Sequence, residues 1–141
     1  MIKTVLGEMY WLEELDITGS QRNVSDISIL SNMPNLKRIN LSGTGITDIS
    51  VLSNIPDLEQ LDISITDVSD ISVLANMSAL KSLDISGTHV SDISVISNCP
   101  DLEWLDIRGV EITDLSELSN LKNLEVLYLK NSNISDYTAL S

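Results

Sequence analysis

The 141-residue chain is predicted to be a single-domain solenoid. Short parallel β-strands line a concave side, and short 3₁₀ or turn segments line a convex side, an α/β-type build that is mostly β. Two observations carry this. Leucines opening equivalent blocks stand at Leu36, Leu58, Leu80, Leu102 and Leu124, and every interval (58−36, 80−58, 102−80, 124−102) is 22 residues. A fixed period of that size is the signature of a repeat array. The hydrophobic period also changes inside each block. In LKRINLSGTGITDISVLSNIPD, residues 36–57, apolar side chains fall at places 1, 4, 6, 11, 14, 17 and 20. The alternation Ile39, Asn40, Leu41 has the period of two of a half-buried strand. The spacing of three from Ile46 through Ile55 suits tight turns or single 3₁₀ turns, in which residues i and i+3 eclipse. One such coil cannot bury its own apolar ladder, so neighbouring coils must stack.

The elements follow in order. Residues 1–11 read as a partial repeat or makeshift cap, because TVLGEMYWLEEL aligns with SVLSNIPDLEQL and puts Val5, Leu6 and Met9 at core places. Tyr10 and Trp11 are then positioned to cover the open end of the core, or to face further chain. The first full block, 12–35, is two residues longer than the rest, and its surplus in TGSQRN maps to a loop rimming the concave face with Arg22 projecting. Blocks 36–57, 58–79, 80–101 and 102–123 are the regular ones. Across the blocks Asp26, Asp48, Asp70, Asp92, Asp114 and Asp136 share place 13, before the helical turn, where a carboxylate accepts from free backbone N–H groups. Pro34, Pro56 and Pro100 share place 21, an entry into the next strand where a missing donor costs least. The single Cys99 sits among the apolar residues of place 20 and reads as a core filler. Block 124–141 is a truncated last repeat with no polar cap after it, so the ends are candidates for self-association.

The pattern LxxLxLxxTxIxDIxxLxxxPx resembles the 22-residue leucine-rich repeat of the internalin-like class of bacterial surface proteins. The resemblance spans nearly the whole chain and implies a leucine-rich repeat solenoid that acts as a non-enzymatic protein-binding scaffold, at the bacterial surface or secreted. One departure is clear. The family usually has Asn at place 9, whereas this chain has Thr44, Thr66, Thr88, Val110 and Ser132. A Thr hydroxyl bonds less than an amide, so the usual asparagine ladder should be weakened or replaced by water.

Composition narrows the functions. Eight basic against 21 acidic residues give −13, which repels nucleic-acid phosphates and favours basic protein partners. No run of about 18 apolar residues suits a membrane span, and MIKTVLGEMYW lacks a signal-peptide core. With one histidine, His89 at the variable turn place 10, and one cysteine, neither a catalytic set nor a zinc set can be assembled. No cofactor is expected.

Candidate binding residues come from the concave columns. Place 2 alternates in charge through Glu13, Lys37, Glu59, Lys81, Glu103 and Glu125, which favours side-by-side pairs. Place 5 runs Asp16, Asn40, Asp62, Asp84, Asp106, Tyr128, and like charges about 5 Å apart repel by roughly 0.8 kcal/mol in water. Those acids need donors from Ser64, Ser86 and Arg108 at place 7, a basic protein partner, or a cation such as Ca²⁺. Toward the carboxyl end the columns change to Trp104 and Val126 at place 3, Tyr128 at place 5, and Arg108 and Lys130 at place 7. Trp, Tyr and Arg dominate interface energetics. The expected partner surface is therefore Trp104, Asp106, Arg108, Val126, Tyr128 and Lys130, extended by Asp62 and Asp84. The competing expectation is a structural spacer, or a fragment of a longer repeat protein, that does not bind by itself.

Overall fold

The structure, a computed structural model, describes residues 9–19, 22–130 and 134–141. The described residues form one six-stranded parallel sheet whose spatial order is the chain order: β1 (Glu14–Asp16), β2 (Arg38–Asn40), β3 (Gln60–Asp62), β4 (Ser82–Asp84), β5 (Trp104–Asp106) and β6 (Val126–Tyr128). Parallel neighbours cannot be joined by a hairpin, so each strand returns through a 3₁₀ turn. These turns are η1 (Ser28–Asn32), η2 (Ser50–Asn54), η3 (Ser72–Asn76), η4 (Ser94–Asn98), η5 (Ser116–Asn120) and η6 (Thr138–Leu140). Equivalent places align across the sheet, as in Ile39↔Leu61↔Leu83↔Leu105↔Leu127.

The spacing of three has a direct counterpart in hydrogen bonds. In the second coil Leu52 N–H donates to Ile49 O, Ile55 N–H to Leu52 O and Leu58 N–H to Ile55 O. This unbroken i to i+3 chain leads through η2 to the next strand. Apolar residues at every third place therefore share one face, and Leu52, Ile55 and Leu58 are all fully buried. The place-13 aspartates start these turns as expected: Asp26, Asp48, Asp70, Asp92, Asp114 and Asp136 each accept from the backbone N–H two residues on, at 2.8–3.0 Å. Those bonds hold the carboxyls of Asp48, Asp70, Asp92 and Asp136 below the ordinary value of 3.8.

The threonines of place 9 do something other than weaken a ladder. Thr44, Thr66 and Thr88 are buried, and each hydroxyl donates to the carbonyl three residues earlier, at 2.6–2.7 Å. The bond closes within one coil, so no link between coils is needed to satisfy the hydroxyl. Ser132, the last of the column, lies outside the described residues, as do Val5 and Leu6. Tyr10 and Trp11 pack edge to face, 5.2 Å between centroids. They remain 63% and 59% exposed, and Leu12, Leu15 and Ile17 of the first coil stay half-buried.

Candidate functional site

The sheet face pointing away from the core presents places 3, 5 and 7 as parallel columns. Place 5 turns out to have a structural duty that its outward position conceals. Asp16, Asn40, Asp62, Asp84 and Asp106 each accept from the backbone N–H two residues on, at 2.9–3.0 Å, closing the turn that ends each strand. Ser64 and Ser86 add their hydroxyls to the same carboxylate oxygens of Asp62 and Asp84 at 2.7 Å. The donors expected at place 7 are therefore in position. Asp84, flanked by Asp62 and Asp106, has its carboxyl pushed above 3.8. Desolvation is the main cause, the two Ser86 bonds oppose it, and the flanking carboxylates add to it. Among the described residues no group of three or more His, Cys, Asp or Glu is placed to hold a metal ion.

At the carboxyl-terminal strands the face changes character. Arg108 Nε donates to both oxygens of Asp106 at 2.9 Å, and Arg108 Nη2 donates to Oδ2. Bidentate pairing of this kind is strong because two parallel N–H bonds match the carboxylate. Asp106 is 0% exposed, so of the three consecutive aspartates it is the one covered over, a departure from the expected open column. Its carboxylate faces the Arg108 guanidinium, not solvent. The same pair pushes the Arg108 guanidinium above its usual value, through the Asp106 hydrogen bonds first and the charges of Asp106, Asp84 and Tyr128 after. The Arg108 guanidinium carbon lies 5.1 Å from the centroid of Tyr128, within cation–π range. The Tyr128 ring meets Trp104 at 5.7 Å and 60°, an edge-to-face contact.

Trp104, Arg108, Tyr128 and Asp106 are thus one connected cluster, and Val126 pairs in register with Trp104. Tyr128 is 44% exposed, Trp104 and Val126 are half-buried, and Lys130 is exposed. Asp62 and Asp84 stand two and one strands away, half-buried. The adjacency of the two rings was legible in the repeat register, whereas the burial of Asp106 was not.

Elsewhere on the surface, ion pairs form differently from the alternating column expected. Lys81 meets Glu59 at 3.2 Å, but Lys37 turns toward Asp57 at 3.9 Å, and Arg38 takes Glu14 at 2.9 Å along place 3. Arg22 is exposed but not free. It pairs with Asp67 at 2.9 Å, 45 residues on, and Asp67 also lies 3.4 Å from His89. The first-coil loop reaches that far because Gly45 leaves room, since a Cβ there would sit 2.5 Å from the Arg22 carbonyl oxygen.

A third feature escaped the sequence reading. At place 8 the backbone is left-handed in five coils, with φ of 74°, 70°, 64° and 72° at Gly19, Gly43, Gly87 and Gly109 and 56° at Ile65. Isoleucine in this region costs about 1–2 kcal/mol because its Cβ crowds the following carbonyl. Ile65 is nonetheless 61% exposed. The available signal was an isoleucine standing where four other coils have glycine.

The repeat-family model for leucine-rich repeats, in two copies, matches residues 34–76 and 100–141. Among solved structures the chain is similar to an internalin C2 from Listeria monocytogenes, with 32% identity, 92% of this chain and 56% of that one covered, and a TM-score of 0.85. An internalin F of the same species shares 29% identity over 96% of this chain and 46% of that one, with a TM-score of 0.73. A leucine-rich repeat protein from Leptospira interrogans, 19% identical, covers 94% of this chain and 40% of that one at a TM-score of 0.70, and shows the fold alone. The chain spans about half the length of these structures. No curated protein matches it.

Proposed function

The chain belongs to the leucine-rich repeat family and is internalin-like, and from that premise we propose that it is a non-enzymatic protein-interaction module whose partner seats on the concave sheet face. The observation that carries this reading is the connected cluster of Trp104, Tyr128 and Arg108, with Val126 beside it and Lys130 at its edge. It interrupts strands that otherwise present polar and charged side chains without an aromatic ring. An apolar, aromatic centre with a charged rim is how many protein interfaces are built. Arg108 is pre-ordered by Asp106 and Tyr128, so little side-chain entropy remains to be lost on docking. Asp62 and Asp84 each keep one carboxylate oxygen that Ser64 and Ser86 do not use. These oxygens supply acceptors for basic groups of the partner, in keeping with the net charge of −13.

The test uses a photo-crosslinking amino acid at Ser82, on β4 between Gln60 and Trp104, to capture the partner covalently. Affinity for the captured protein is then measured with wild type, Ser42→Ala and the double variant Trp104→Ala, Tyr128→Ala. The double variant should bind at least tenfold more weakly, since hot-spot residues contribute about 2 kcal/mol or more, and Ser42→Ala should bind as wild type. A partner held equally well by all three refutes the placement, and failure to capture any protein through this face favours the spacer reading.

A further inference from the structure

The fold explains the left-handed backbone at residue 65 but not the isoleucine that stands there. Its backbone conformation is set by the coil: Ile65 N–H donates to Ser86 O at 2.8 Å, as Gly43 N–H does to Ser64 O, Gly87 N–H to Arg108 O and Gly109 N–H to Lys130 O. Three of these four positions carry glycine, the residue that adopts positive φ without strain. The fourth carries a β-branched side chain that gains little by burial, being 61% exposed. A strained residue whose side chain does not serve the core is an indicator of function.

What lies beside Ile65 defines the chemistry. Gly87 and Gly109 in the next two coils have no side chains, so the isoleucine stands at the head of a strip of bare backbone whose glycine N–H groups are paired. Ile65 Cγ1 lies 3.7 Å from where a Cβ on Gly87 would be. Ser86, Arg108 and Lys130 complete the walls of this depression. None of its six lining residues is acidic, whereas four other depressions on the described surface are each lined by two or more carboxylates. The Arg108 charge is matched by Asp106. Lys130 is exposed and, among the described residues, has neither an ion pair nor a hydrogen bond from its side chain. The strip therefore combines an apolar knob, a floor without side chains and an uncompensated cation.

We propose that Ile65, the bare backbone of Gly87 and Gly109, and Lys130 form a second docking strip that takes an extended acidic segment of a protein partner. One apolar side chain of the segment rests on the glycine floor against Ile65, and a carboxylate meets Lys130. Charge complementarity selects the occupant. Elsewhere the acidic surface repels such a segment, and a basic segment finds no carboxylate among the side chains lining the strip. The strip meets the Trp104 surface at Arg108 and Lys130, but Ile65 and the two glycines lie outside that surface, so Ile65→Gly tests the strip alone.

The probe is a labelled octapeptide with one central leucine among aspartates and glutamates, compared with its lysine-for-acid counterpart and its serine-for-leucine counterpart. Binding is followed by fluorescence anisotropy and by the amide resonances of the whole chain. The acidic leucine peptide should shift the amides of Ile65, Gly87 and Gly109, and the two counterparts should not. Ile65→Gly and Lys130→Glu should each weaken it at least tenfold, while Trp104→Ala leaves it unchanged. Ile65→Gly should melt at or above the wild-type temperature, separating a binding role from a structural one. No amide shifts at millimolar peptide, equal response to the lysine peptide, unchanged affinity in Ile65→Gly, or a lower melting temperature for that variant would each overturn the proposal.

Discussion

Truncating Leu83 to alanine tests the stacked core at its centre. Leu83 is 0% exposed and lies in register between Leu61 and Leu105. The substitution removes three carbons, about 2.4 kcal/mol at ~0.8 kcal/mol per methylene. The neighbouring strands cannot close the gap, because Ser82 N–H is tied to Glu59 O at 3.1 Å and Trp104 N–H to Lys81 O at 3.0 Å. A residual cavity of about 60 Å³ then adds roughly 1.4 kcal/mol at ~24 cal/mol per Å³, for a total of about 4 kcal/mol. Leu127, half-buried with its strand partner Leu105 on one side, should cost about half as much, since truncating it leaves a smaller closed void. Urea unfolding followed by circular dichroism measures both. Because each coil contacts only its neighbours, Leu83→Ala should also uncouple the coils on either side and broaden the transition, with a lower apparent m-value. A loss under about 1 kcal/mol for Leu83→Ala, or equal losses for the two variants, would refute the register and the nearest-neighbour account of stability.

Three further outcomes are expected. Gly87→Ala, at φ 64° with only ordinary contact near its Cβ, should cost about 1–2 kcal/mol from conformation alone and lower the melting temperature by a few degrees in calorimetry; no change would show that the left-handed row is not imposed by the coil. Acidification should act in two stages. Asp84 has a raised folded-state pKa, so its contribution is fully present below 3.8 and is lost as pH rises through the folded value; acidifying from neutral restores it. Asp48, Asp70, Asp92 and Asp136 are lowered, so their stabilisation is present above 3.8 and lost as pH falls through their folded values. Urea midpoints should rise as acidification protonates Asp84 and fall below pH 3.8, and Asp84→Asn should flatten only the upper limb; an unaltered upper limb contradicts the assignment. Cys99 is fully buried and its thiol is pushed up to about 11 by desolvation, so a thiol reagent at pH 8 should label it only at the rate of unfolding; fast labelling of the native chain would contradict its place in the core.

The period of 22 residues by itself determined the strand positions, their parallel order, the 3₁₀ returns and nearly every buried residue. In a stack where each coil meets only its neighbours, equal spacing leaves one register that keeps all apolar places inside. The same register placed Trp104 beside Tyr128 and the aspartates of place 13 before their turns. Tertiary structure alone decided the outcomes that depend on long side chains choosing among partners at similar distances. Arg108 covers Asp106, leaving Asp62 and Asp84 as the half-open acids of the column. Arg22 crosses to Asp67 because Gly45 lets the loop through, and the Thr hydroxyls bond within their own coils. Ile65 belongs to both accounts. Its identity was plain in the sequence, but that the coil forces it into a left-handed conformation and leaves it in solvent follows only from the backbone bonds that its neighbours make.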